Sequence, residues 1–144
     1  MGLFNLFNKP KTNYLIEMRE YVKNFMLTYI NEFPEASDDV IPVFSNVNEM
    51  LKKTSEKDIC KMMKTNNVNI ECGALNIIQN FAMVEMKPKS ATSFIIGDDN
   101  SAFELYNYVN NLKYEKGYIS KQQYDDNALL ATKLSLDSPF GSWL

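Results

Sequence analysis

The chain has 144 residues, the usual size of one domain, and a formal charge of −3 at pH 7. It contains no histidine, and its only arginine is Arg19. The missing histidine excludes His-assisted nucleophiles and His metal sites, and a single arginine leaves little for the bidentate clamps that bind phosphate or read guanine. Because the lysines are scattered and the net charge is negative, the sequence has no basic footprint for nucleic acid.

The two cysteines, Cys60 and Cys72, each lie within an apolar pattern. Two thiols make no disulfide framework in a domain of this size, so we expect reduced core side chains and a cytoplasmic location. No run approaches the roughly twenty apolar residues that span a bilayer. Residues 1–11 lack the basic and apolar regions of a secretory signal, so stable membrane insertion is not expected.

Residues 1–11 form a short apolar arm, and Pro10 separates it from a predicted helical domain over residues 12–144. Such an arm either packs back on the domain or frays, and the alternative is a small anchor for a partner or a membrane surface. It is too short and too weakly charged for stable membrane attachment by itself.

The first predicted helix runs from Thr12 or Asn13 to Asn31 and stops before Pro34. Its apolar residues recur with steps of one and three, which is the spacing of one face of a helix. Because so wide an apolar stripe must be covered by other elements, we predict an all-α bundle of about five helices.

An acidic loop is predicted next, kept non-helical by Pro34 and Pro42. A short apolar crossing at residues 40–44 follows it, and a second helix is predicted to open at Ser45 or Asn46 and to run to Lys53. Ser55 is predicted to cap a third, short helix. The loop carries four closely spaced carboxylates that suit a basic partner: Glu32, Glu35, Asp38 and Asp39.

Residues 68–86 fit two patterns. Val68, Ile70 and Cys72 alternate with polar residues as in a strand, but a helical stripe accounts for more of the stretch. We predict a helix from about Asn69 to Glu85, with Gly73 allowing close approach to another helix. Residues 92–96 are predicted to form a short extended segment.

A turn at residues 97–100 is predicted to start a helix that runs to about Tyr114. Lys116 and Gly117 break this helix, and Ser120 with Gln123 forms the capping box of a last helix.

Across residues 104–135 this hairpin resembles the short C-terminal domain family, in which two helices flank a Gly-x-Ile-Ser/Thr turn followed by acidic residues and an aromatic one. At Gln122 and Gln123 the chain departs from the glutamates that the family prefers. The resemblance implies a role in assembly or interaction. It rests on Leu112, Gly117, Ile119, Ser120, Tyr124, Lys133 and Leu134.

The C-terminal residues 140–144 are unusually apolar and include Phe140 and the only tryptophan, Trp143. An exposed tail is rarely so apolar, so this tail either fills a groove of its own domain or docks on a partner.

These observations favour a small interaction protein without catalysis, cofactor or metal, such as an antagonist of the bacterial immunity type that masks a toxin. Glu32, Glu35, Asp38 and Asp39 would steer a basic protein partner, and aromatic anchors such as Phe140 and Trp143 would hold it. Self-association is compatible with the sequence. The alternatives are a helical scaffold or a small-ligand binder with a pocket lined by Met and Tyr. A further alternative is a hydrolase or metal-dependent enzyme built on carboxylates alone, with these candidates: Asp38, Asp39, Asp98, Asp99, Asp125 and Asp126.

Overall fold

The computed structural model describes residues 13–86 and 101–136 of the chain. Within these two stretches the protein forms six α-helices and no strand, which confirms the predicted all-α class with one helix more than expected. The helices are α1 (Tyr14–Glu32), α2 (Ser37–Lys52), α3 (Glu56–Asn66), α4 (Ile70–Glu85), α5 (Ser101–Glu115) and α6 (Lys121–Leu136), and a 3₁₀ turn (Pro34–Ala36) joins α1 to α2. The predicted arm at 1–11, the extended segment at 92–96 and the tail at 140–144 lie outside the described residues.

Helix α1 begins where two different side chains satisfy its first N–H groups. The Asn13 carboxamide accepts a hydrogen bond from the Ile16 N–H at 3.0 Å. The Glu56 carboxylate accepts two more from the N–H groups of Tyr14 at 3.0 Å and Leu15 at 2.7 Å. A carboxylate at a helix N-terminus also complements the helix dipole, so Glu56 ties the start of α3 to the start of α1.

The prediction of a loop followed by an apolar crossing is wrong, because α2 already begins at Ser37. Pro42 lies inside this helix, and the expected start at Ser45 or Asn46 falls in its second half. A proline in a helix interior costs about 3 kcal/mol.

Burial explains why α2 forms in spite of its proline. Each fully buried apolar side chain contributes about 1.5–3 kcal/mol, so together they outweigh the proline. Five apolar residues of α2 follow a helical spacing, and none of them has measurable exposure: Val40, Val43, Phe44, Val47 and Leu51.

Residues 70–85 form a helix rather than a strand, as predicted, and Asn69 caps it by accepting a hydrogen bond from the Cys72 N–H at 2.8 Å. Helix α4 lies at the centre of the bundle and packs against α1, α2 and α5. A Cβ atom at Gly73 would lie 3.1 Å from the Met18 methyl group of α1. Gly73 therefore allows the close approach of these two helices that the sequence predicted.

The hairpin between α5 and α6 depends on Gly117, whose φ is +74°. The Gly117 N–H donates to the Tyr114 carbonyl, and the Tyr118 N–H donates to the Lys113 carbonyl at 2.8 Å. These two bonds form a Schellman motif, which requires a left-handed residue at the position of Gly117. Helix α6 then opens with the predicted capping box, in which Ser120 and Gln123 each bond the backbone N–H of the other at 3.1 Å.

Candidate functional site

The four acidic residues singled out in the sequence lie on one exposed corner of the bundle. Glu32 ends α1, Glu35 lies in the 3₁₀ turn, and Asp38 and Asp39 occupy the first turn of α2. Asp39 accepts a hydrogen bond from the Ser101 hydroxyl at 3.2 Å, which connects this corner to the first turn of α5. All four carboxylates face solvent.

Three aromatic rings lie beneath these carboxylates. The ring centroid of Tyr29 is 4.9 Å from that of Phe33 and 5.1 Å from that of Tyr108. The Tyr108 hydroxyl reaches Glu32 at 3.5 Å. Phe33 and Tyr108 are only half-buried, so the corner offers apolar area as well as charge.

The structure adds Glu104 of α5 to this acidic corner. Burial is the main cause that raises the pKa of Tyr29 to about 12, and the nearby carboxylate of Glu104 is the next, followed by contributions that include Glu32 and Glu35. Nothing in the sequence points to Glu104, because it is distant from the other four along the chain and only the packing of α5 on α1 brings it close. We call Glu32, Glu35, Asp38, Asp39 and Glu104 the acidic surface.

The other predicted binding residues, Phe140 and Trp143, lie outside the described residues, as do Asp98 and Asp99. On α6, Asp125 pairs with Lys121 at 3.0 Å, and Asp126 accepts from Gln122 at 2.9 Å. Within residues 13–86 and 101–136, no three acidic or cysteine side chains come together as ligands of a metal ion. None of the helices in this part of the chain has the length and apolar content that a membrane crossing needs.

A second feature of interest is a cavity of about 280 Å³ between α3, α4 and α5. Its apolar wall includes Met62, Val68 and Ile77, and Gly73 also lines it. The polar wall consists of amide side chains and one cation: Asn66, Asn76, Gln79, Asn80 and Lys113.

Lys113 is the unusual residue of this cavity, because only 7 % of its surface is exposed. Its ammonium donates a hydrogen bond to the Gln79 side-chain oxygen at 2.7 Å. Burial lowers the pKa of Lys113, and the neighbouring Cys72 thiol acts in the opposite direction. Burial also raises the pKa of Cys72, which keeps the thiol neutral at pH 7 and denies Lys113 a negative partner there.

Gln79 is nearly as buried as Lys113, with 4 % of its surface exposed. Its side-chain nitrogen Nε2 has no hydrogen-bond partner, although its oxygen is bonded to Lys113. An unmet buried donor costs about 1–3 kcal/mol, so an acceptor placed beside this amide nitrogen would stabilise the fold.

Comparison of the chain with protein-family models, with curated proteins and with solved structures finds no match. The resemblance of residues 104–135 to the short C-terminal domain family is therefore not supported by any of these comparisons. Function has to be argued from the acidic surface and the cavity themselves.

Proposed function

We propose that this protein acts by binding another protein of basic character through the acidic surface, without catalysing a reaction. The observation that carries the proposal is the convergence of five carboxylates from α1, the 3₁₀ turn, α2 and α5 over aromatic rings, two of which are half-buried. Such a surface combines long-range attraction with an apolar contact, the combination that partner proteins use for capture and for anchoring.

The stretches of sequence that carry this surface contain no basic residue to offset its negative charge. No lysine or arginine occurs between Lys23 and Lys52, and none occurs in the first three turns of α5. Electrostatic steering by a surface of one sign raises association rates by about ten- to a thousandfold, and salt weakens it steeply. A basic partner would therefore associate quickly at low ionic strength.

The aromatic rings would supply the contact that remains after encounter. Phe33 and Tyr108 already pack against each other, with ring centroids 5.9 Å apart, so a partner would meet a surface that needs little rearrangement. Aromatic residues held in place in this way lose little conformational entropy on binding. We further propose that the protein is an antagonist that covers the functional surface of its partner.

The test begins with a partner captured by cross-linking in the source cell and then purified. Its association rate is measured by stopped flow from about 0.02 to 0.3 M salt. The variant Glu32→Gln/Glu35→Gln/Asp38→Asn/Asp39→Asn should slow association about tenfold or more at low salt and flatten the salt dependence.

A control variant removes the same charge elsewhere and, like the first variant, neutralises two acids in the first turns of α-helices. It neutralises four exposed carboxylates: Glu17, Glu20, Asp58 and Asp126. Equal rates and salt slopes for both variants would refute the role of the acidic surface. Antagonism is tested separately by expressing the partner with and without this chain, and unchanged partner activity would refute it.

A further inference from the structure

We propose that the cavity between α3, α4 and α5 binds a small organic monocarboxylate, held by Lys113 and by the free amide nitrogen of Gln79. This site is separate from the acidic surface and opposite to it in charge preference. The proposal rests on an imbalance between hydrogen-bond donors and acceptors on the cavity wall.

The cavity wall carries more hydrogen-bond donors than there are acceptors bonded to them. An ammonium group carries three N–H donors, and that of Lys113 uses one of them on Gln79. The Gln79 amide nitrogen carries two further hydrogens, and neither has a partner. Both side chains are more than nine-tenths buried and line the same cavity, and because Nε2 itself is enclosed, the Gln79 amide must rotate slightly before one acceptor can reach both groups.

The charge of Lys113 is also unpaired within the described residues. No carboxylate of residues 13–86 or 101–136 forms an ion pair with it or lines the cavity. The nearby Glu71 is committed elsewhere, to Lys116 at 3.2 Å and to the Tyr118 hydroxyl at 2.6 Å.

The end of α5 does not supply the missing acceptor either. The carbonyls of Leu112, Lys113 and Tyr114, the ones nearest the ammonium along the chain, each already accept a backbone hydrogen bond, and none is bonded to the ammonium. A buried cation costs free energy unless a negative group meets it. A ligand that brings one negative charge would supply that group.

The composition of the wall selects the class of anion. One lysine and neutral amides suit a single negative charge, whereas a phosphate dianion is usually met by arginine, by several cations or by a helix N-terminus. The apolar wall of Met62, Val68 and Ile77 suits a hydrocarbon portion beside the charged group. At about 280 Å³ the cavity is just below the range of ~300–1,000 Å³ that drug-sized ligands need, so the carboxylate must be small.

The test is calorimetric titration of the full chain with acetate, butyrate, hexanoate, benzoate and inorganic phosphate. We expect one site per chain, affinity that rises with the apolar portion until the cavity is full, and weaker binding of phosphate. Lys113→Met preserves side-chain length and removes the charge, so it should weaken the best carboxylate at least thirtyfold. Lys61→Met removes an exposed lysine of the adjacent α3 that does not line the cavity, and it should leave binding unchanged.

If Lys113→Met does not fold, a second variant still tests the proposal. Gln79→Glu places a carboxylate oxygen where the Gln79 side-chain oxygen now lies, 2.7 Å from the Lys113 ammonium. The protein itself then supplies the negative group that the ligand would otherwise bring. The substitution should raise the melting temperature and abolish carboxylate binding together. Binding that survives in Gln79→Glu or in folded Lys113→Met would overturn the proposal, as would tighter binding of phosphate or no saturable binding of any carboxylate.

Discussion

Replacing Pro42 with alanine tests the largest difference between the predicted and the observed fold. Pro42 lies in the second turn of α2, where it has no N–H to donate to the carbonyl of Asp38. Its side chain is exposed, so alanine removes no core contact. The substitution therefore isolates the backbone effect of the proline.

The expected gain follows from the position of Pro42 in the helix. Proline costs about 3 kcal/mol relative to alanine in a helix interior. At this site the orphaned carbonyl lies in the first turn, on an exposed residue, and water can reach it. We therefore expect Pro42→Ala to raise the free energy of unfolding by about 1–2 kcal/mol, or the melting temperature by about 3–6 °C.

The assay is urea unfolding followed by circular dichroism, with thermal unfolding as a second measurement. Ser45→Ala is the matched control, because it alters another exposed position of α2 and should change stability by less than about 0.5 kcal/mol. Pro42→Gly should be less stable than Pro42→Ala by about 1 kcal/mol. A neutral or destabilising Pro42→Ala would show that no continuous helix passes through this residue.

Two further predictions concern the junction between α4 and the turn after α5. The hydrogen bond from the Tyr118 hydroxyl, followed by that from Lys116, holds the pKa of Glu71 below its usual value. Glu71 therefore stabilises the fold above about pH 4.3 and loses this effect as the pH falls through its folded pKa. Glu71→Gln should cost about 1–2 kcal/mol at pH 7, and urea unfolding at pH 3 should show that difference shrinking; a constant difference would contradict the pairing. Gly117→Ala should cost about 1–2 kcal/mol by placing a side chain at positive φ, whereas Asn67→Gly, at the other left-handed position with φ 51°, should be neutral or stabilising; equal effects of the two would refute the cap assignment.

Local chemistry made the helix boundaries predictable from the sequence. Ser55 caps α3 by accepting from the Asp58 N–H at 3.1 Å, and the Ser120 box opens α6, because capping depends on residues three apart in the chain. The left-handed turn at Gly117 follows from the same short range. The helical interpretation of residues 69–85 held because its apolar stripe ran over more turns than the competing alternation did.

The errors arose where packing overrode local preference. Pro34 and Pro42 favour a loop, whereas the spacing of Val40, Val43 and Val47 favours a helix, and the structure follows the spacing. Only the tertiary structure shows that this face is fully buried against the bundle. The free-energy cost of a proline depends on its own helix, whereas the burial that outweighs this cost depends on how the rest of the chain packs.

The cavity was missed for a related reason. Asn76 and Gln79 interrupt the apolar face of α4 one and two turns after Cys72, and polar side chains in a helix are usually exposed. Lys113 is distant from them in sequence, so nothing local indicated that its charge would be buried beside them. The available signal was the helical register itself, which places Cys72, Asn76 and Gln79 on one face together with buried apolar residues.

The two proposed sites can be tested independently because they use different parts of α5. Glu104 of the acidic surface and Lys113 of the cavity are nine residues apart in this helix, about 14 Å along its axis. Substitutions that far apart with no shared partners usually have additive effects on stability. Lys113→Met should therefore leave partner association unchanged, and the acidic-surface variant should leave carboxylate binding unchanged. Loss of both activities in either variant would mean that α5 couples the sites, and the protein would then need to be treated as one regulated binding unit.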